Sequence, residues 1–311
     1  MQNNLAFVFP GQGSQAIAML ADFANESIVQ KTFKEASEAL GYDVWQLISE
    51  GPTEKLNQTN YTQPALLTAS VALWRLWLSK SDFKPAMLAG HSLGEYSALV
   101  CADVLTLSEA VKLVQKRGEL MQASVPEGTG AMAAIIGLDD DTIIAACAQA
   151  QEQEVVSAVN FNSPGQVVIA GNKAAVERAG LLCKEAGAKR VLPLPVSVPS
   201  HCALMKNAAK ELAKELDKLT FNTPNVSVVN NVDVSIETAQ ENIKDALVRQ
   251  LYSPVRWTET VELLAINGCE HVLEIGPGKV LQGLLKRINK SISCQSVNDA
   301  SSLTQALVSI K

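Results

Sequence analysis

The pentapeptide Gly90-His91-Ser92-Leu93-Gly94 carries the strongest chemical signal in the sequence. It fits G-x-S-x-G, the turn that lifts a serine hydroxyl out of a strand-to-helix junction so that it can attack a carbonyl carbon. The apolar run Ala86 to Ala89 before it and the helical pattern from Glu95 onward are the context such a turn requires. Small residues are needed there because backbone passes close to backbone and the serine takes a strained conformation. Ser92 is therefore the candidate nucleophile. The Leu93 N–H, at a helix N-terminus, would face a developing oxyanion.

A serine nucleophile needs a base, and the chain has three histidines. His91 is the neighbour of Ser92, so its side chain should diverge from the serine and serve the turn. His271 lies in an apolar run that reads as a core strand. His201 follows Val196-Ser197-Val198-Pro199-Ser200, a loop, and loops carry catalytic groups disproportionately. By elimination His201 is the base, with His271 as the alternative. A third member is not evident. Asp139, Asp140 and Asp141 lie between Ser92 and His201, but they start a predicted helix and are explained by capping. A backbone carbonyl or an amide is the remaining way to orient the histidine.

Arg117 falls on the apolar stripe Ala110, Leu113, Val114, Leu120, Met121 of a helix opened by the capping-box pair Thr106 and Glu109. An inward guanidinium demands a carboxylate from the protein or from a ligand, and beside a serine elbow a substrate carboxylate is the better reading. Near the start, Gly11-Gln12-Gly13-Ser14-Gln15-Ala16 follows a strand and fits G-x-G-x-x-A, a dinucleotide fingerprint. The acidic residue that the fingerprint needs about twenty positions on is missing. The same loop can instead present the Gln12 N–H as a second oxyanion donor. Gly276-Pro277-Gly278-Lys279 lacks the spacing of a phosphate-binding loop and reads as a strand-to-helix turn.

The elements that must position these groups form two patterns. Apolar runs at Leu5 to Phe9, Ala86 to Ala89, Val226 to Val229 and His271 to Ile275, separated by helix-period segments, predict a parallel sheet with helices on both faces. Between Gly128 and Val196 the order is strand, helix, strand, turn, strand, helix, strand, the ferredoxin-like split motif. Residues 128–196 thus read as a subdomain inserted into a larger α/β unit of residues 1–127 and 197–311. Its hinges lie near Pro126-Glu127-Gly128 and Pro195 to Pro199, where Gly and Pro cluster.

Of the 311 residues 47% are hydrophobic and 19% charged, which is ordinary for a globular chain with a sizeable core. A net charge of −6 argues against nucleic acid and anionic lipid as partners. Six cysteines at 101, 147, 183, 202, 269 and 294 form no metal-ligand spacing and read as reduced thiols. No metal is expected. The start of the sequence carries no basic, signal-like stretch, and Pro64 to Leu78 is too short to span a bilayer and is broken by Arg75, so the expected location is cytoplasmic.

Six segments together resemble the malonyl-CoA:acyl carrier protein transacylase family of type II fatty acid synthesis. They are FPGQGSQ (9–15), QPALLTASVAL (63–73), GHSLGEYSALV (90–100), NFNSPGQVVIAG (160–171), PVSVPSHCALM (195–205) and EIGPGKVLQGL (274–284). The resemblance implies an α/β-hydrolase-like domain with a ferredoxin-like insertion and a ping-pong transfer of malonyl through Ser92. His201 would be base and acid, Gln12 and Leu93 the oxyanion donors, and Arg117 the bidentate partner of the malonyl carboxylate. In that family a main-chain carbonyl orients the histidine, and the matching position here is Gln250. No tightly bound cofactor is implied: malonyl-CoA is a substrate, and phosphopantetheine arrives on the acyl carrier protein. An acidic carrier needs a local basic patch, for which Lys279, Lys286, Arg287 and Lys290 are candidates, with Lys189-Arg190 in the insertion. The alternative is a serine thioesterase or esterase on the same elbow.

Overall fold

The computed structural model describes residues 2–126, 128–196 and 198–310. Glu127 and Ser197, the residues that flank the expected insertion 128–196, lie outside them. Nine strands follow in chain order among the described residues: β1 (Gln2–Phe9), β2 (Pro85–Gly90), β3 (Gly130–Ile136), β4 (Val156–Ser163), β5 (Gln166–Asn172), β6 (Arg190–Pro193), β7 (Ser227–Val229), β8 (His271–Ile275) and β9 (Ser293–Val297).

The first sheet has the order β7-β2-β1-β8-β9 and every pairing in it is parallel. β1 runs through its middle, which is why Leu5 to Phe9 are all apolar and fully buried. Alternate residues serve opposite faces: Leu5, Phe7 and Phe9 pack into one core and Ala6 and Val8 into the other. Phe7 meets Trp74 and Trp77 edge to face, at 5.6 and 5.4 Å, and both belong to the long helix Thr59–Lys80 that crosses that core. The chain leaves β1 towards β2 and β7 on one side and returns to β8 and β9 on the other. The order therefore reverses at the carboxyl end of β1, and crevices form at such reversals. Phe9 pairs with Gly90 at that end, so the loops after β1 and β2 open side by side. The edge strand β9 was not among the expected runs: Ser293, Gln295 and Ser296 interrupt its apolar pattern.

The second sheet is antiparallel, in the order β4-β5-β3-β6. With the helices Asp140–Ala150 and Lys173–Glu185 its elements follow the expected βαββαβ order. Apolar residues of both helices form one core with β3, β4 and β5. Val255, just ahead of the helix Trp257–Ile266, stitches that segment to β4, donating to the Val159 carbonyl at 2.8 Å and accepting from the Phe161 N–H at 3.0 Å. No helix among the described residues is long and apolar enough to cross a membrane.

Candidate active site

Ser92 stands between β2 and the elbow helix Leu93–Cys101, with φ 51° and ψ −106°, a conformation an L-residue rarely adopts. Its neighbours show why the turn needs glycine. A Cβ on Gly90 would lie 1.9 Å from the Gly94 carbonyl carbon, and one on Gly94 would lie 2.1 Å from the Phe9 oxygen. The His91 N–H closes the junction by donating to the Phe9 carbonyl at 3.0 Å.

His201 arrives on the loop after β6, at φ 64°, its own N–H donating to the Leu251 carbonyl at 2.9 Å. Its Nε2 lies 2.8 Å from Ser92 Oγ and its Nδ1 lies 2.7 Å from the Gln250 carbonyl oxygen. A carbonyl can only accept, so Nδ1 carries the proton and Nε2 offers its lone pair to the serine hydroxyl. Burial, and then the charge of Arg117, lower the imidazole pKa to about 3. At neutral pH His201 is thus a neutral imidazole whose bare Nε2 accepts from the serine hydroxyl. Asp139 stays with its helix, capping the Thr142 N–H at 2.9 Å. His271 bonds Ser293 Oγ at 2.6 Å on β8.

Arg117, on the helix Leu107–Ala123, is 1% exposed. The Thr106–Glu109 capping box that sets the start of this helix is present. Nη1 donates to Gln63 Oε1 at 2.8 Å, and Nη2 donates to Gln250 Oε1 at 2.9 Å and to Ser92 Oγ at 3.3 Å. The guanidinium carbon lies 5.4 Å from the centre of the Tyr96 ring. Among the described residues Arg117 forms no ion pair with a carboxylate. Two neutral amide oxygens hold a buried cation beside the nucleophile without cancelling its charge.

These groups border one cavity of about 500 Å³, into which Ser92, Leu93, Arg117, His201 and Gln12 all open. Met132 and Asn160 of the antiparallel sheet form its opposite wall. Gln12 sits in the loop after β1, and its side chain accepts from Thr59 Oγ1 at 2.9 Å. The first helix after that loop is the short 3-10 turn Ala21–Phe23, and the first α-helix starts at Ser27. A dinucleotide fingerprint needs a helix opening directly on the glycines, so that reading of Gly11 to Ala16 fails. His91 also lines the cavity, with Nε2 2.8 Å from Asn162 Oδ1 of β4. It thus ties the elbow to the second sheet.

Three participants were not evident in the sequence. Gln63 holds Arg117. Asn231 accepts from the Ser92 N–H at 2.7 Å and donates to the Gly90 carbonyl at 2.7 Å. Glu95, 2% exposed, accepts from Gln250 Nε2 at 2.8 Å. A glutamine, an asparagine and a glutamate carry no signal of their own at scattered positions; only the fold brings them together. Lys279, Lys286, Arg287 and Lys290 lie exposed at the helix Val280–Ile288 and its ends, outside the cavity lining. Among the described residues no cluster of three or more His, Cys, Asp or Glu side chains is arranged to hold a metal ion.

A family model for the acyl transferase domain matches residues 6–306. The chain is 65% identical over 303 residues to malonyl CoA-acyl carrier protein transacylase of Escherichia coli (strain K12), covering 97% of this chain and 98% of that protein. It is 66% identical over 299 residues to the protein of the same name from Haemophilus influenzae, covering 96% of each. Among solved structures, an acyl carrier protein S-malonyltransferase from Vibrio cholerae matches with a TM-score of 0.96 at 65% identity, over 97% of this chain and 99% of that one. A malonyl-transacylase solved in complex with a type II PKS acyl-carrier protein matches with a TM-score of 0.97 at 60% identity, over 98% and 99%.

Proposed function

Because the chain belongs to the malonyl CoA-acyl carrier protein transacylase family, we propose that it moves malonyl from coenzyme A to the phosphopantetheine thiol of an acyl carrier protein in fatty acid synthesis. Ser92 gives its proton to His201 Nε2 as Oγ attacks the thioester carbonyl. The tetrahedral oxyanion lies against the Leu93 and Gln12 N–H groups. Its collapse breaks the C–S bond, and the departing coenzyme A thiolate takes the proton from His201. In the second half the carrier thiol gives its proton to His201 and attacks the malonyl ester. Serine leaves and recovers that proton, so the enzyme ends as it began. The Gln250 carbonyl keeps the imidazole in the tautomer both halves need.

The observation that carries this reading is the buried, un-neutralised Arg117 3.3 Å from the nucleophile. A free carboxylate on the acyl group satisfies that cation and fixes the carbonyl over Ser92. An esterase or thioesterase acting on a neutral acyl chain would leave it buried and unpaired, which is costly. No tightly bound cofactor enters the scheme. Residues 128–196 act as the subdomain that walls the cavity, with 1–127 and 197–311 as the catalytic unit, and the carrier docks on the patch of Lys279, Lys286, Arg287 and Lys290. Malonyl-CoA as donor and six buried free thiols support a cytoplasmic location.

The test is intact-mass measurement after mixing with malonyl-CoA. A malonyl adduct on Ser92 that carrier protein discharges faster than water supports transfer. Turnover to free malonate with no dependence on carrier would show a hydrolase instead.

A further inference from the structure

Behind the nucleophile, on the side away from the cavity, Glu95 makes two contacts that reach both halves of the catalytic machinery. One carboxylate oxygen, Oε2, accepts from the Asn231 N–H at 2.9 Å and from Gln250 Nε2 at 2.8 Å. Asn231 in turn holds the Ser92 N–H and the Gly90 carbonyl. Gln250 presents its other end, Oε1, to Arg117 Nη2 at 2.9 Å, and its Nε2 also donates to the Ser92 carbonyl at 3.1 Å.

An amide has a donor end and an acceptor end, and an oxygen that already accepts an N–H leaves Gln250 only one productive orientation. With the NH2 group committed to Glu95, the carbonyl end must face the guanidinium. The reverse orientation would set NH2 against the N–H donors of Arg117. The amide also keeps the two buried charges apart. A direct ion pair would use up the attraction that a substrate carboxylate has to find at Arg117, whereas the interposed amide transmits orientation and leaves the cation available.

We propose that Glu95 is a positioning residue for selection of carboxylated acyl groups: by fixing the direction of the Gln250 amide it aims Arg117 at the acyl carboxylate without neutralising it. This rests on the malonyl-transfer reading above. Glu95 touches neither substrate nor reacting atoms, and acts through Gln250.

The test compares malonylation and acetylation of Ser92 by intact mass and steady-state kinetics in Glu95→Leu, which removes the oxygen that accepts from Gln250 Nε2. The expected result is a KM for malonyl-CoA raised about tenfold with kcat within about threefold of wild type, and acetylation from acetyl-CoA equally little changed. The preference for malonyl over acetyl then falls about tenfold. Equal losses with both donors would mean that Glu95 only supports the elbow, and an unchanged preference would mean that the amide needs no anchor; either overturns the proposal. Should Glu95→Leu not fold, Glu95→Asp, which withdraws the carboxylate from Gln250 but keeps its charge, is judged by the same comparison. Wild-type protein that forms no malonyl adduct would bring down the functional reading itself, a result distinguishable from an altered variant in a competent enzyme.

Discussion

Ser92 and His201, which stand on opposite sides of the antiparallel sheet in sequence, meet at 2.8 Å with both backbones in positive φ, 51° and 64°. Neither residue is glycine, so both carry backbone strain at the point where the nucleophile and base face each other. The surrounding structure holds them there: glycine packing and Asn231 on the serine side, the Leu251 and Gln250 carbonyls on the histidine side. All of these anchors lie outside the antiparallel sheet, whose Met132 and Asn160 line the cavity the two residues share.

Releasing the strain at Ser92 should separate stability from activity. Glycine adopts φ 51° without a steric penalty, so Ser92→Gly should gain roughly 1 kcal/mol and raise the melting temperature by about 2 °C, while Ser92→Ala should not. Both variants should form no malonyl adduct. A glycine variant that melts below the alanine variant would show that the elbow is not strained.

Much of this site could be read from sequence because its chemistry is local. The G-x-S-x-G turn, the strand before it, the capping box that starts the Arg117 helix and the βαββαβ order all depend on residues close in the chain, and all appear as expected. Distant pairings were less accessible. That Gln250 would turn its carbonyl to His201 came only from family resemblance, and Gln63, Glu95 and Asn231 were not picked out at all. Their roles depend on which way a side-chain amide or carboxylate faces across the core, and no periodicity encodes that. Strand β9 escaped because an edge strand does not need a continuous apolar run.

Removing the Arg117 charge should affect malonyl and acetyl donors differently. Arg117→Ala should lower malonylation of Ser92 by about 100-fold or more and erase most of the discrimination against acetyl-CoA. It also frees the Gln63 and Gln250 oxygens, buried and without a donor, so a stability loss of about 1–3 kcal/mol accompanies it. The same charge helps hold the His201 pKa down. The acid limb of acetylation should therefore move to higher pH in the variant. A fixed acid limb and an unchanged acyl preference would show Arg117 to be structural.

Two buried groups should pull the pH dependence of stability in opposite directions. Burial first, and Arg117 second, lower His201 to about 3 from an ordinary 6.5, so between these values the unfolded chain binds more protons and stability rises with pH. Burial raises Glu95 to about 7 from 4.5, against the pull of Gln250, Asn231 and Arg117. In that window the folded chain binds more protons, and stability falls as pH rises. Between about 4.5 and 6.5 the two slopes oppose each other. Urea midpoints of Glu95→Gln should thus climb more steeply with pH across this window than those of wild type. Parallel profiles would mean that Glu95 does not titrate there.

Charge reversal on the basic helix should affect the second half-reaction alone. Lys286 is exposed on the helix Val280–Ile288, away from the cavity lining, whereas Arg287 also donates to Gln166 Oε1 of β5 at 2.5 Å and so ties the helix to the second sheet. Lys286→Glu is accordingly the cleaner probe. If an acidic carrier docks on this patch, the variant should raise the KM for carrier protein several-fold and leave adduct formation from malonyl-CoA unchanged. Interactions between exposed charges are screened with a Debye length of about 10 Å at 0.1 M salt, so the gap between variant and wild type should narrow as salt is added. Loss of carrier affinity that persists at high salt would point to a damaged fold. An unaltered KM would place the docking surface elsewhere on the molecule.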